Sequence, residues 1–286
     1  MQERTLILGD ERHLVATLTE LPAGSPPPPC VVILTNSGVI PRTGPHRMNV
    51  HLARQFADMG IPSIRFDLSG LGDSLRHSSP RPVMDQWVAD TRAVMDLAER
   101  HFHCPRFAMI GFCSGAEVAH LVALEDPRMR AALLWDLYAY PTLLSRLHTI
   151  AYRMQRAGAL GLLRKSIGRT EAMIGRLLGR QASAPRPKPP SAVPSSVPPK
   201  EQFAKRIQTL VDQGVELLFA YAFQPEWFNH PGQFRQMFRG WPFARQVAFR
   251  HLDRCDHLLT QRTSQTAFSH MVMDWMQHRV LPSLLR

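Results

Sequence analysis

Short apolar runs alternate with amphipathic stretches along most of this 286-residue chain. Thr5–Leu8 and His13–Thr19 alternate weakly and predict an antiparallel hairpin, closed off by Ser25 and the four prolines after it. Cys30–Leu34 is a continuous apolar run, the pattern of a strand buried on both faces, and the polar turn Thr35–Gly38 follows it. Helical spacing over Val50–Met59 stops at Gly60, and Ile61–Phe66 reads as the next strand. Met84–His101 predicts an amphipathic helix, Phe107–Ile110 a strand, Ala116–Glu125 a helix and Ala131–Trp135 another strand. After an interruption the pattern returns with a helix at Gln202–Gln213, a strand at Val215–Tyr221 and a loop rich in aromatics. A strand at Gln246–Leu252 and a helix from Thr263 to His278 complete it. Such alternation predicts the α/β class, a mostly parallel sheet with helices on both faces. Each connection is long enough for a parallel crossover.

The interruption divides the chain. Residues 1–140 and 207–286 read as the core, and residues 141–206 as a helical lid insertion. Pro141–Arg180 has apolar residues at helical spacing, whereas Pro185–Pro199 has seven prolines in fifteen residues, a composition that predicts a mobile or polyproline-like segment. An insertion after the fourth parallel strand is expected over the carboxyl ends of the strands, where open α/β sheets bind ligands. The net charge of +11 sits in the same insert: residues 1–140 sum to −2, residues 141–206 to +11 and residues 207–286 to +2. A basic insert on a balanced core suits an anionic partner. No nucleic-acid-binding module accompanies it, and the proline tract interrupts the basic region, so nucleic acid is not the expected partner.

Mean hydropathy is −0.17, and no apolar run reaches the length of a membrane span. The opening residues lack a basic start followed by an apolar run, so no signal peptide and a cytoplasmic setting are expected. The four cysteines, at 30, 104, 113 and 255, follow neither a zinc spacing nor a disulfide framework, and they are expected as free thiols. Gly70 and Gly72 follow no dinucleotide-binding pattern, and no cofactor is expected.

The sharpest chemical signal is Gly111-Phe-Cys-Ser-Gly115 between a predicted strand and a predicted helix. A nucleophile between two glycines at a strand-to-helix turn is held in a tight, strained conformation with room for close backbone approach. Cys113 occupies the apex; Ser114 is one residue too late. A helix N-terminus and a histidine partner both favour a thiolate. His257, just past the last predicted strand, is the expected base, because a loop there returns to the nucleophile's end of the sheet; His251 lies within the strand and is the weaker choice. The loop Asn36–Val39 follows the first parallel strand. The N–H groups of Val39 and Ser114 are the expected oxyanion donors, with Gly38 permitting the backbone shape.

These stretches, with Arg42-Thr-Gly-Pro-His-Arg47, Leu52-Ala-Arg54, Arg65-Phe-Asp-Leu-Ser-Gly-Leu-Gly-Asp-Ser74 and Asp256-His257, resemble an α/β-hydrolase of the serine aminopeptidase type, close to the exosortase-system-associated hydrolases. Cysteine at the elbow resembles dienelactone hydrolases and polyhydroxyalkanoate synthases, whose catalytic set is Cys-His-Asp. The resemblance implies an acid after the strand Val215–Tyr221, but the loop there is Ala222-Phe-Gln-Pro-Glu-Trp-Phe-Asn-His230, with Gln224 in the acid's place. Asp136, directly after the strand Ala131–Trp135, is an alternative acid position of this fold and the favoured candidate. Glu226, Asp253, Asp256 and a Cys–His dyad without an acid remain alternatives.

Gly38, Arg42, Tyr138, Glu226 and Trp227 are candidate substrate contacts, Arg42 either for a carboxylate or phosphate or, alternatively, as a helix-start or salt-bridge residue. Together these features predict acyl transfer through a Cys113 acyl-enzyme, from a thioester or activated ester, with an acyl carrier protein or another anionic surface at the basic insert. A small-molecule ester or lactone hydrolase and a catalytically silent binding protein are the alternatives. No metal is expected.

Overall fold

A computed structural model describes residues 1–36, 38–156 and 197–285. The hairpin forms from β1 (Gln2–Leu8) and β2 (Leu14–Glu20), and β3 (Val31–Leu34) follows. Then come α1 (Met48–Asp58), β4 (Ser63–Phe66), α2 (Val83–Phe102), β5 (Phe107–Phe112), α3 (Ser114–Glu125) and β6 (Met129–Trp135). Residues 143–156 are helical, α4. The chain continues through α5 (Lys200–Asp212), β7 (Glu216–Ala222), α6 (Gln233–Met237), α7 (Phe243–Gln246), β8 (Ala248–Leu252) and α8 (Arg262–Trp275).

The eight strands form one sheet in the order β1-β2-β4-β3-β5-β6-β7-β8. β1 and β2 pair antiparallel, as do β2 and β4, while every pair from β4 to β8 is parallel. Strand side chains alternate between faces, so each strand feeds two cores. Val31, Ile33, Phe107 and Met109 join α2, α3 and α5 on one face. Val32, Leu34, Ala108 and Ile110 join α1 and α8 on the other. This explains the unbroken apolar runs: β3 and β4 are buried at every position.

The sequence predicts all eight strands and the long helices, with ends displaced by a few residues. It does not predict α6 and α7, which form within the aromatic-rich stretch; there Phe234, Phe238 and Phe243 are fully buried. Of the predicted lid, residues 143–156 are helical as expected. The greater part, residues 157–196, with most of the basic side chains and the proline tract up to Ser196, lies outside the described residues. No helix among the described residues is long and apolar enough to cross a membrane.

Candidate active site

Three segments that follow parallel strands converge at the carboxyl edge. Cys113 follows β5, Asp136 follows β6 and His257 lies in the loop after β8. Cys113 adopts φ 51°, ψ −118°, an unfavourable conformation for a residue with a side chain. Its neighbours explain how it is held. Its N–H donates to the Trp135 carbonyl at 3.0 Å, extending the β5–β6 ladder by one residue. A Cβ at Gly111 would lie 2.5 Å from Ala116 Cα, and one at Gly115 would lie 2.6 Å from the Asn36 carbonyl oxygen. Both glycines are therefore required by close backbone approach, and Cys113 sits at the N-cap of α3, whose first N–H groups have no acceptor within the helix.

Asp136 also has positive φ, 51°, and is the residue that turns the chain out of β6. Its Oδ2 accepts the His257 Nδ1–H at 2.6 Å, and its Oδ1 accepts the Ala222 N–H at 2.9 Å. The Gln224 side chain lies close enough to help hold this carboxylate down. Burial pushes the Asp136 carboxyl up, against the opposing pull of His257, Ala222 and Gln224. His257 is pushed up to about 10, first by its bond to Asp136 and next by its bond to Cys113, with burial opposing both. The ring thus lies between Cys113 and the buried Asp136 carboxylate.

The base is also fixed through its backbone. Trp135 Nε1–H donates to the His257 carbonyl at 3.0 Å. The Asp256 carboxylate accepts the N–H groups of Leu258 and Thr260, which shapes the loop around the histidine. Asp256 therefore forms the turn and is not the histidine's acid.

Cys113, His257 and Asp136 open into a pocket of about 440 Å³. Gly38, Val39, Leu71, Leu137, Tyr138 and Trp227 form much of its wall, giving a mainly apolar lining. Ser114 and Gln224 also reach it. The Gly38 N–H donates to Ser114 Oγ at 3.0 Å, tying the loop after β3 to the elbow.

No protein-family model matches the chain, and no curated protein matches it. Solved structures do. Proline iminopeptidase from Mycobacterium smegmatis superposes with a TM-score of 0.59 at 15% identity, over 99% of this chain and 100% of that one. A protein described as a dienelactone hydrolase, from Klebsiella pneumoniae, gives 0.56 at 15% identity over 97% and 98%. The esterase domain of a Rhodothermus marinus protein gives 0.56 at 16% identity over 96% and 98%. The chain has the α/β-hydrolase fold.

In this α/β-hydrolase framework the sequence-predicted Cys113, His257 and Asp136 come together, and Gly38, Val39, Ser114, Tyr138 and Trp227 reach the same pocket. Two expectations are corrected. Arg42 Nη1 lies 2.6 Å from Asp73 and also pairs with the fully buried Asp67, so its charge is consumed in joining two loops and does not face the pocket. Glu226 pairs with Arg153 at 2.9 Å on the surface and is absent from the pocket wall. It is neither the histidine's acid nor a substrate contact.

Two residues were missed from sequence. Glu117, on the first turn of α3, lines the pocket with its Oε1 accepting the Tyr138 hydroxyl at 2.6 Å, and burial raises its carboxyl. Trp135 grips the histidine loop. The signal for Glu117 was its place four residues after Cys113, on the same helix face. Trp135 looked like any other core aromatic.

Proposed function

We propose that this α/β-hydrolase is an acyl-transfer enzyme working through a covalent Cys113 acyl-enzyme on a thioester or activated ester. The supporting observation is the convergence of Cys113, His257 and Asp136 at one pocket, with the acid bond at 2.6 Å and Cys113 and Asp136 leaving the adjacent ends of β5 and β6. His257 accepts the Cys113 proton, and the sulfur attacks the acyl carbon. The Ser114 N–H, with the Val39 N–H as second donor, holds the developing oxyanion. As the tetrahedral intermediate collapses, the leaving thiol or alcohol takes the proton from His257 and the acyl group stays on Cys113. An acceptor then gives its proton to His257, attacks the acyl carbon and expels the Cys113 thiolate. Water as acceptor completes hydrolysis; an amine or alcohol completes transfer.

Asp136 holds the ring through Nδ1–H, which directs Nε2 at Cys113 to take and return its proton, and stabilises the imidazolium. A thiol nucleophile suits thioesters, because the first exchange trades one thioester for another. The apolar pocket supports an apolar acyl group. The motifs around Arg65–Ser74 support grouping with serine aminopeptidase-type and exosortase-system-associated hydrolases. A cytoplasmic setting suits a nucleophile that must stay reduced. The +11 charge of residues 141–206 supports an anionic, carrier-bound donor. If so, high salt should slow acylation by such a donor more than by a short free thioester.

Intact-mass measurement after mixing with acyl thioesters and acyl esters tests the reading. A stoichiometric acyl adduct that maps to Cys113 is expected. Turnover without any Cys113 adduct, or with the Cys113→Ala variant, would refute it. Complete inertness toward both donor classes would favour a silent binding protein.

A further inference from the structure

A second cluster of reactive side chains lies on the β1–β2 side of the sheet. The turn after β1 and the segment after β4 bring Asp10, His13 and His77 together, with one ligand atom from each within 4.8 Å of the others. His13 is only 4% exposed, and its Nδ1 has no hydrogen-bond partner. A buried, unpaired polar atom is costly and needs an explanation.

The surroundings give His13 a direction. Its Nε2 faces Asp90 Oδ1 at 3.4 Å, and Asp90 is itself fixed by the Gln86 side chain and the Ser69 N–H, both at 2.8 Å. A proton on Nε2 serves Asp90, which leaves the Nδ1 lone pair facing Asp10 Oδ1 at 3.8 Å. Two acceptors face one another there, and a cation between them resolves the conflict. His77 Nε2 lies 3.1 Å from the same Asp10 oxygen, and the two rings meet edge to face with centroids 4.7 Å apart. Gly9 makes the room, since a Cβ there would lie 2.6 Å from His13 Cε1.

We propose that Asp10, His13 and His77 form a binding site for a zinc-class divalent ion, using His13 Nδ1, His77 Nε2 and an Asp10 carboxylate oxygen, with water as the remaining ligand. Two imidazoles and one carboxylate suit zinc, cobalt or nickel and disfavour magnesium or calcium, which prefer oxygen donors. Asp90 behind His13 is the outer carboxylate that orients a metal-bound imidazole and raises its basicity. Glu11, 3.8 Å from His77 Nε2, adds negative charge at the rim.

The Ser79 N–H donates to His77 Nδ1 at 2.9 Å, so the metal-free ring carries its proton on Nε2, toward Asp10. Metal capture releases that proton to solvent. Nδ1 takes one up and gives up the Ser79 bond, so the ring stays neutral overall. The ion ties the β1–β2 turn to the segment around His77, where the Leu75 N–H already donates to the His13 carbonyl at 2.8 Å. Its role is a clamp on the fold, independent of the Cys113 chemistry.

Calorimetric titration of the chelator-treated full-length protein with zinc chloride tests this. One equivalent is expected to bind through the cluster and to raise Tm, as any ligand of the folded state does. Asp10→Asn and His77→Gln should each weaken that equivalent by at least about tenfold. Asp10 is 78% exposed, so Asp10→Asn keeps the fold even if the histidine variant does not. The thiol and imidazole of the active site can also hold zinc, so Cys113→Ala is the control and should retain the cluster's equivalent. Cobalt at the cluster should give d–d bands without a thiolate charge-transfer band. Absence of zinc uptake, uptake indifferent to Asp10→Asn, or loss of all uptake in Cys113→Ala would each overturn the proposal.

Discussion

The Trp135 indole N–H donates to the backbone carbonyl of His257 across 122 residues of sequence, at 3.0 Å. The next residue, Asp136, takes the same histidine's ring at 2.6 Å. Two adjacent residues at the end of β6 therefore grip the base at both its backbone and its side chain. The indole itself is fully buried between Phe112 and Phe268. Trp135→Phe should keep most of the packing and lose one hydrogen bond, costing about 1 kcal/mol of stability. The rate of Cys113 acylation should fall alongside, because the ring loses a backbone anchor. Denaturant unfolding and stopped-flow acylation check this; a stability loss with an unchanged acylation rate would show that Trp135 is only core.

Cys113→Ala should abolish the acyl adduct, whereas Ser114→Ala should retain it. Among the described residues Ser114 Oγ accepts the Gly38 N–H alone, so its loss should loosen that loop without removing the nucleophile. Intact-mass spectra distinguish the two, and an adduct lost only in Ser114→Ala would move the nucleophile.

Asp136→Asn should slow turnover by about 10²–10⁴-fold, by analogy with the loss of about 10⁴-fold when the orienting acid of a serine-protease triad is replaced. Glu226→Gln should leave turnover nearly unchanged, because that carboxylate lies on the surface against Arg153. Steady-state rates of both variants provide the comparison, and a larger loss at Glu226 would reverse the assignment.

The raised His257 basicity links folding to pH. Its folded-state value, about 10, lies above the ordinary value of about 6.5. The stabilisation from the protonated ring is therefore complete below about pH 6.5 and is lost as pH rises toward 10. In Asp136→Asn the main cause of the shift is gone. The stability gap between wild type and Asp136→Asn should narrow from pH 6 to pH 10 in denaturant titrations. A gap that stays constant over that range would mean that the ring is neutral in the folded protein.

Gly115→Ala should destabilise by about 1–3 kcal/mol, since its methyl group would meet the Asn36 carbonyl oxygen at 2.6 Å. The push falls on the loop that carries Gly38 and Val39, so activity should fall more steeply than Tm. Thermal unfolding paired with acylation kinetics measures both.

The elbow was legible in sequence because glycine, cysteine and glycine sit at fixed offsets between a β-type run and a helical one. Asp136 was legible as a candidate because it directly follows a strand whose apolar run is unbroken. The sequence leaves the histidine's acid open, since Asp136, Glu226 and Asp256 differ only in partners supplied by distant segments. The same applies to Glu226 and to Arg42, whose salt-bridge alternative is the one realised: Arg153, Asp67 and Asp73 neutralise them from other segments. The short helices α6 and α7 escaped because aromatic spacing there follows tertiary packing more than any helical or strand period.

With the acid carried on β6, the segment after β7 is released from supplying a charge. Gln224 still helps hold the Asp136 carboxyl down, but Trp227, 39% exposed at the pocket wall, answers to no catalytic geometry. Selectivity and reactivity are thereby written on separate stretches of chain. Under the proposed acyl-transfer reading, substitutions at Trp227 redraw which acyl group fits while the Cys113–His257–Asp136 arrangement stays intact, making that loop the natural place to retarget selectivity.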